Sequence, residues 1–195
     1  KRRLAFSTIG QLSYIVLGVA LLHELALKGS VLHIAAHAVG KITLFFCAGA
    51  IFVATGKKYI SEMAGLGKKM PFTFAAFFLG SLGVIGLPPS IGLISKFHLL
   101  LGAAEAGQIA LMVVFLISTI LNAAYFLPIS YQAFFPNNPA AAPEAPQKIA
   151  SSKVEEAPLA CVIPLCFTGL LTVGLFFFPG FLLELADLFV GSVSP

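Results

Sequence analysis

Charge is what this chain has least of. Only 10% of its 195 residues are Asp, Glu, Lys or Arg, against about a quarter in soluble domains. That scarcity, with 58% hydrophobic residues and a mean hydropathy of +0.98, excludes an ordinary soluble domain and points to a lipid bilayer. Cysteine is nearly absent too. Cys47, Cys161 and Cys166 all lie in apolar stretches, without the CxxC or Cys/His spacing of a zinc or redox site, and are expected as small packing or lipid-facing residues. Phosphate-loop, dinucleotide-binding and nucleophile-elbow motifs are missing, so nucleotide binding and serine hydrolase chemistry find no support. The twelve basic residues are scattered over loops and do not form the single aromatic-interleaved patch of a nucleic-acid binder. No initiator Met precedes Lys1-Arg2-Arg3. The polar Gln11, Ser13 and Tyr14 break the first apolar run, and further membrane-length runs follow, so a signal peptide is rejected and the chain is expected to begin inside a larger protein.

What is present is a series of apolar runs of membrane length. About 20 apolar residues make one helical crossing, so roughly five crossings fit. The runs are expected at about residues 4–27, 30–55, 72–104, 108–134 and 159–178, with short loops at Lys28-Gly29 and over GKKYISEMAGLGKKMP. The third run would reach roughly 50 Å as one helix, against a hydrocarbon core of about 30 Å. Its middle, GLPPSIG, explains the excess. Pro88 and Pro89 remove backbone donors, and Gly86 and Gly92 tolerate unusual dihedrals, so a broken helix is predicted; its freed backbone groups must be met by protein or by a water-filled cavity. The fold class is therefore all-α integral membrane protein with the third of about five helices broken. Pro128 should kink the fourth span, residues 136–158 read as a Pro/Ala-rich solvent linker, and residues 181–190 as an interfacial helix with Glu184 and Asp187 on one face. Domain boundaries follow at 1–135, 136–158 and 159–195.

Inside the second run, SVLHIAAHAVGKITLFF spaces His33, His37 and Lys41 four residues apart. Such positions drift only about 40° per step, so the three groups form one stripe climbing about 12 Å along a helix. Lys41 falls near mid-membrane, where a charge costs about 2.5–3.5 kcal/mol even on the lenient insertion scale, so it must face protein or water. Buried lysine and histidine both exchange protons near neutral pH. Lys96 follows the predicted helix break and makes a second candidate. His98 falls on roughly the other side of that helix and either lines a pathway or serves as an interhelical hydrogen bonder. Ser118 and Asn122 either line a pathway or serve as structural glue. Lys28, Lys57 and the His23-Glu24 pair read as interfacial groups. The His33/His37 spacing also suits zinc, but no Cys, Asp or Glu is nearby in sequence and Lys41 would repel a cation; no metal and no cofactor are expected.

Taken in order, KRRLAFSTIGQLSYIVLG, HIAAHAVGKITLFFCAGA, EMAGLGKKMP and GSLGVIGLPPSIGLISKF resemble the second half of the antiporter-like subunits shared by respiratory complex I (NADH:quinone oxidoreductase) and Mrp-type cation/proton antiporters. The resemblance covers about residues 1–135 and is looser beyond. It implies a proton-translocating membrane subunit of fourteen helices built from two inverted five-helix repeats, of which the spans here match the tenth to fourteenth. On that likeness His33, His37 and Lys41 match the proton-relay helix and Lys96 the ionisable residue at the exit half-channel. The first repeat lies outside this chain, so the fragment is not expected to translocate protons alone or to carry redox chemistry. Partners implied are other membrane subunits, the bilayer, protons and, in one branch, Na+. The stripe and Lys96 resemble the largest complex I antiporter-like subunit. That subunit runs on into a long lateral helix, whereas this chain stops at residue 195, which favours an Mrp D-like reading. Basic clusters on one side, by the positive-inside rule, put the amino terminus in the cytoplasm and the carboxyl terminus outside a cell inner membrane.

Overall fold

A computed structural model describes residues 2–135 and 155–193. Among the described residues, seven α-helices carry the fold: α1 Arg2–Ala20, α2 Glu24–Thr55, α3 Pro71–Ile85, α4 Ile91–Glu105, α5 Ile109–Phe134, α6 Leu159–Phe177 and α7 Gly180–Val193. Two 3-10 turns, Ile60–Met63 and Leu66–Lys68, fill the loop between α2 and α3. No strand occurs among the described residues. Four helices, α1, α2, α5 and α6, are long and apolar enough to cross a membrane.

The predicted break falls where the prolines stand. α3 and α4 have 15 residues each, about 22 Å, so neither spans the hydrocarbon core by itself and together they make one discontinuous crossing. Gly86 ends α3 at φ +86° and caps it through its N–H to the Leu82 carbonyl. Gly92 serves close approach, since a Cβ there would run into the Gly83 carbonyl oxygen. Ser90, buried between the half-helices, donates to the carbonyls of Leu82 and Leu87.

One boundary differs from the sequence reading. The turn between the first two spans lies at residues 21–23, with Leu22 at φ +49° and His23 extended, and Lys28 and Gly29 sit inside α2. Gly29 is there for packing, because a Cβ would come within 2.6 Å of the Leu99 backbone nitrogen on α4. His23 accordingly pairs with Glu105 at 3.4 Å and not with Glu24, and Lys28 pairs with Asp187 of α7.

Interhelical contacts fix which ends of the helices share a side. Arg2 and Arg3 meet Lys57, Lys58 and Tyr59 around one cavity; Gly65 donates to the Gln132 carbonyl and Glu155 to that of Lys69. The starts of α1, α3 and α6 and the ends of α2 and α5 therefore lie together, with the His23–Glu105 and Lys28–Asp187 pairs at the opposite end. Among the described residues this alternation gives α1, α2, the α3–α4 pair, α5 and α6 as five passes between the two ends. At the first end, the Glu62 carboxylate accepts the N–H groups of Tyr59 and Lys58, which holds it below its ordinary range. Glu156 caps α3: its carboxylate accepts from the Phe72 and Thr73 N–H groups at 2.7 and 3.2 Å and from the Thr73 hydroxyl at 2.6 Å. Most of the 136–158 linker lies outside the described residues.

The core gathers Leu44, Cys47, Ile51, Phe74, Phe126 and Leu165 from α2, α3, α5 and α6. Outward faces are apolar as well: Val16, Ile117, Ile120, Phe167 and Leu170 are all exposed. In lipid such faces gain nothing by hiding, so close backbone approach and interhelical hydrogen bonds hold the bundle.

Candidate functional site

Polar side chains in the bundle converge where α1, α2, α4 and α5 meet. The α2 stripe turns inward as its spacing demands: His33 and Lys41 are buried, His37 is half-buried, and the His33 and His37 rings stack with centroids 6.3 Å apart. Lys41 Nζ donates to the Leu4 carbonyl of α1 at 3.1 Å and lies 5.5 Å from the centre of the Phe126 ring. Its charged head thus stays inside the protein, with a carbonyl and an aromatic face as its neighbours.

Lys96 meets the helix break. Its Nζ donates to the carbonyls of Ile85 at 2.8 Å and Val84 at 3.1 Å, the last carbonyls of α3, which have no intrahelical donor once the helix stops. The negative end of the α3 dipole faces the same point, so the break itself builds the seat for an ammonium ion. Gly86 is part of that seat, since a Cβ would press to 2.7 Å from Lys96 Cδ. Tyr14 links the two groups of residues: its ring lies 4.8 Å from Lys96 Nζ and 5.5 Å from the His33 ring. A cavity of about 140 Å³, lined by Tyr14, Gly86, Leu93, Lys96, Phe115 and Thr119 among others, opens beside the lysine and has room for water.

His33 is held on both sides. Its Nε2 lies 3.0 Å from Gln11 Oε1 and its Nδ1 2.9 Å from Ser95 Oγ. Gln11 continues to Asn122, Nε2 donating to Oδ1 at 3.2 Å, and Asn122 Nδ2 donates to the Ser118 carbonyl at 2.7 Å. Asn122 and the Ser118 backbone therefore join the His33 network, and Ser118 also lines a cavity between α1 and α5 together with Ser7 and Tyr125. His98 stands apart, with its Nδ1 on the Ile94 carbonyl one turn back. Pro88 and Pro89 lie at the break without touching the lysine through any polar atom. Among the described residues no three His, Cys, Asp or Glu side chains gather as a metal site would require, and both His33 nitrogens are already engaged.

Gln11, Tyr14 and Ser95 belong to this site although only the basic residues stand out in the sequence. A signal for the first two exists: Ser7, Gln11, Tyr14 and Gly18 are the buried positions of α1 after Leu4, a polar face at helical spacing in an apolar helix. Ser95 has no such mark beyond its place next to Lys96. Two buried polar atoms near the stripe, His37 Nδ1 and Tyr14 Oη, have no hydrogen-bond partner among the described residues.

Comparison with known proteins identifies the family of the chain. Residues 1–122 match the family described as NADH:quinone oxidoreductase/Mrp antiporter, TM. NADH-quinone oxidoreductase subunit N of Desulforudis audaxviator is 38% identical over 180 residues, 90% of this chain and 36% of that protein. A chain of the Mrp complex from a Dietzia species superposes with a TM-score of 0.82 at 27% identity, over 94% of this chain and 40% of that one. A chain of respiratory complex I from Thermus thermophilus does so with a TM-score of 0.78 at 26% identity, over 98% and 39%. The chain thus spans little more than a third of the length of the relatives it matches.

Proposed function

Because this chain belongs to the NADH:quinone oxidoreductase/Mrp antiporter transmembrane family, we propose that it takes part in proton translocation as one part of an antiporter-like subunit, with His33, His37, Lys41 and Lys96 as the groups that hold or pass the charge. The observation that carries the reading is the seat of Lys96: a lysine at hydrocarbon depth, held by two orphan carbonyls of a broken helix and open to a cavity. An ammonium is stabilised there by carbonyls and helix dipole, and on losing a proton to water in the cavity the neutral amine still donates to the same carbonyls. His37 Nδ1 and Tyr14 Oη, buried without protein partners, call for water along the same axis, since buried polar atoms are otherwise satisfied. Protons arriving near Lys41 would pass His37 and reach Lys96. The remainder of the subunit and other membrane subunits supply the driving step.

The higher identity to a quinone oxidoreductase subunit favours a complex I-type host. A D-type Mrp antiporter component, with Na+ as the counter-ion, is the second reading and is supported by the fold likeness to the Mrp chain. Loss of NADH:quinone oxidoreduction, or of sodium tolerance, on deleting the gene separates the two.

The relay is tested in the assembled complex. Lys96→Ala and Lys41→Ala each lower proton translocation by about tenfold or more, equivalent to about 1.4 kcal/mol of barrier, with assembly unchanged. Near-normal pumping in either variant removes that residue from the path, and activity lost only together with assembly favours a scaffold role.

A further inference from the structure

We infer that His33 is a one-sided charge switch: a chain of two amides locks it in a single tautomer, so that a proton enters and leaves it only at Nδ1. The inference deepens the relay reading and rests on it for its consequence, but its geometry stands independently.

The direction of the chain is set at its far end. A backbone carbonyl only accepts, so the Asn122 atom 2.7 Å from the Ser118 oxygen is the amide nitrogen, and Oδ1 is left to face Gln11. The Tyr125 hydroxyl, which can donate to the same Oδ1, is compatible with that assignment. Gln11 must then present its NH2 to Asn122 and its carbonyl to His33. A carbonyl facing His33 Nε2 at 3.0 Å requires a proton on that nitrogen. Orientation of amides and imidazoles follows from such networks, and here every link points the same way. Nε2–H is therefore fixed whether His33 is neutral or charged.

The other nitrogen has two states available. Ser95 Oγ lies 2.9 Å from Nδ1 and 3.0 Å from the Gly92 carbonyl. When His33 is neutral, the Ser95 hydroxyl donates to the bare Nδ1. When Nδ1 gains a proton, N–H donates to Oγ and the hydroxyl hydrogen turns to the Gly92 carbonyl. One N–H bond forms, the serine keeps its hydrogen, and the added proton is one delivered by a hydronium ion, which leaves as neutral water. The groups around the ring are Gln11 and Tyr14 of α1, His37 of α2 and Ser95 of α4, with Lys96 against the far side of Tyr14.

A ring fixed at both nitrogens, as this one is, conducts protons through itself only by taking one on one nitrogen and releasing another from the second. Gln11 forbids the release, because its carbonyl oxygen is far too weak a base to hold the proton. His33 accordingly stores a charge beside the path, and the conducting line runs through His37, whose Nδ1 has no such partner. Charging His33 also draws the Ser95 hydroxyl onto the first turn of α4, which ties its state to the helix break.

The test is nitrogen NMR of the full-length subunit in its assembled complex in lipid, with 15N-labelled histidine and His33 identified by its loss in His33→Asn. Neutral His33 should show a protonated Nε2 and a bare Nδ1 with no second tautomer. Gln11→Leu should produce a mixture of tautomers. Ser95→Ala should shift the Nδ1 resonance and leave Nε2 in place, which keeps the question answerable if Gln11→Leu does not fold. A wild-type protein with Nδ1 protonated, a mixture in wild type, or a Ser95→Ala spectrum in which Nε2 moves overturns the inference. Normal pumping by Lys96→Ala would instead overturn the relay while leaving the tautomer result intact.

Discussion

Lys96 separates two properties that usually travel together, being charged and being able to lose the charge. Arginine at this position keeps a cation on the Val84 and Ile85 carbonyls but does not deprotonate in proteins. Lys96→Arg should therefore assemble and still abolish proton translocation, a split read by comparing complex yield with proton uptake into vesicles. Gly92 is expected to behave in the opposite way. A methyl group driven into the Gly83 oxygen forces the half-helices apart, so Gly92→Ala should cost more than the roughly 1–3 kcal/mol typical of overpacking and appear as lost subunit in the membrane, whereas Gly10→Ala, with open space around its Cβ, should not. At this scale the sequence disclosed the basic groups, because lysine and histidine are expensive in lipid wherever they fall. It did not disclose their partners. Gln11 meets residues 22 and 111 positions away, and no local pattern encodes such a meeting.

Among the elements, the broken crossing was the most legible, since two prolines between two glycines leave a helix no way through. The α1–α2 turn was not. Lys28-Gly29 reads as a loop until α4 is seen to need a glycine beside Leu99, while the true turn at residues 21–23 is spelled by ordinary residues, Leu22 among them at positive φ. The start of α3 shows a third case. Its N-terminal donors are capped by Glu156, 83 and 84 residues away in sequence, which no local capping motif could announce. Such a cap is worth about 0.5–2 kcal/mol, with a further contribution from a negative charge at the helix N-terminus. Glu156→Ala should lower stability by about 1 kcal/mol, seen as a reduced thermal midpoint of the purified complex, with pumping of the surviving complex close to normal.

For the whole molecule, the basic residues Arg2, Arg3, Lys57 and Lys58 meet at one end of the bundle, so the charge asymmetry inferred from loops becomes a spatial one. The positive-inside rule predicts that this end faces the cytoplasm. A membrane-impermeant thiol reagent should label Lys58→Cys only from the cytoplasmic face and Glu105→Cys only from the opposite one; the reverse pattern inverts the topology. α2 extends this picture. At 32 residues it is about 48 Å long, well beyond a hydrocarbon core of about 30 Å. Its surplus length is taken up by leaning, by projecting past the hydrocarbon into the headgroups, or by thicker lipid around it. His33, His37 and Lys41 ride on this one rod, so their depth answers to the thickness of the host bilayer, and acyl-chain length becomes a mechanical input to the energetics of the subunit.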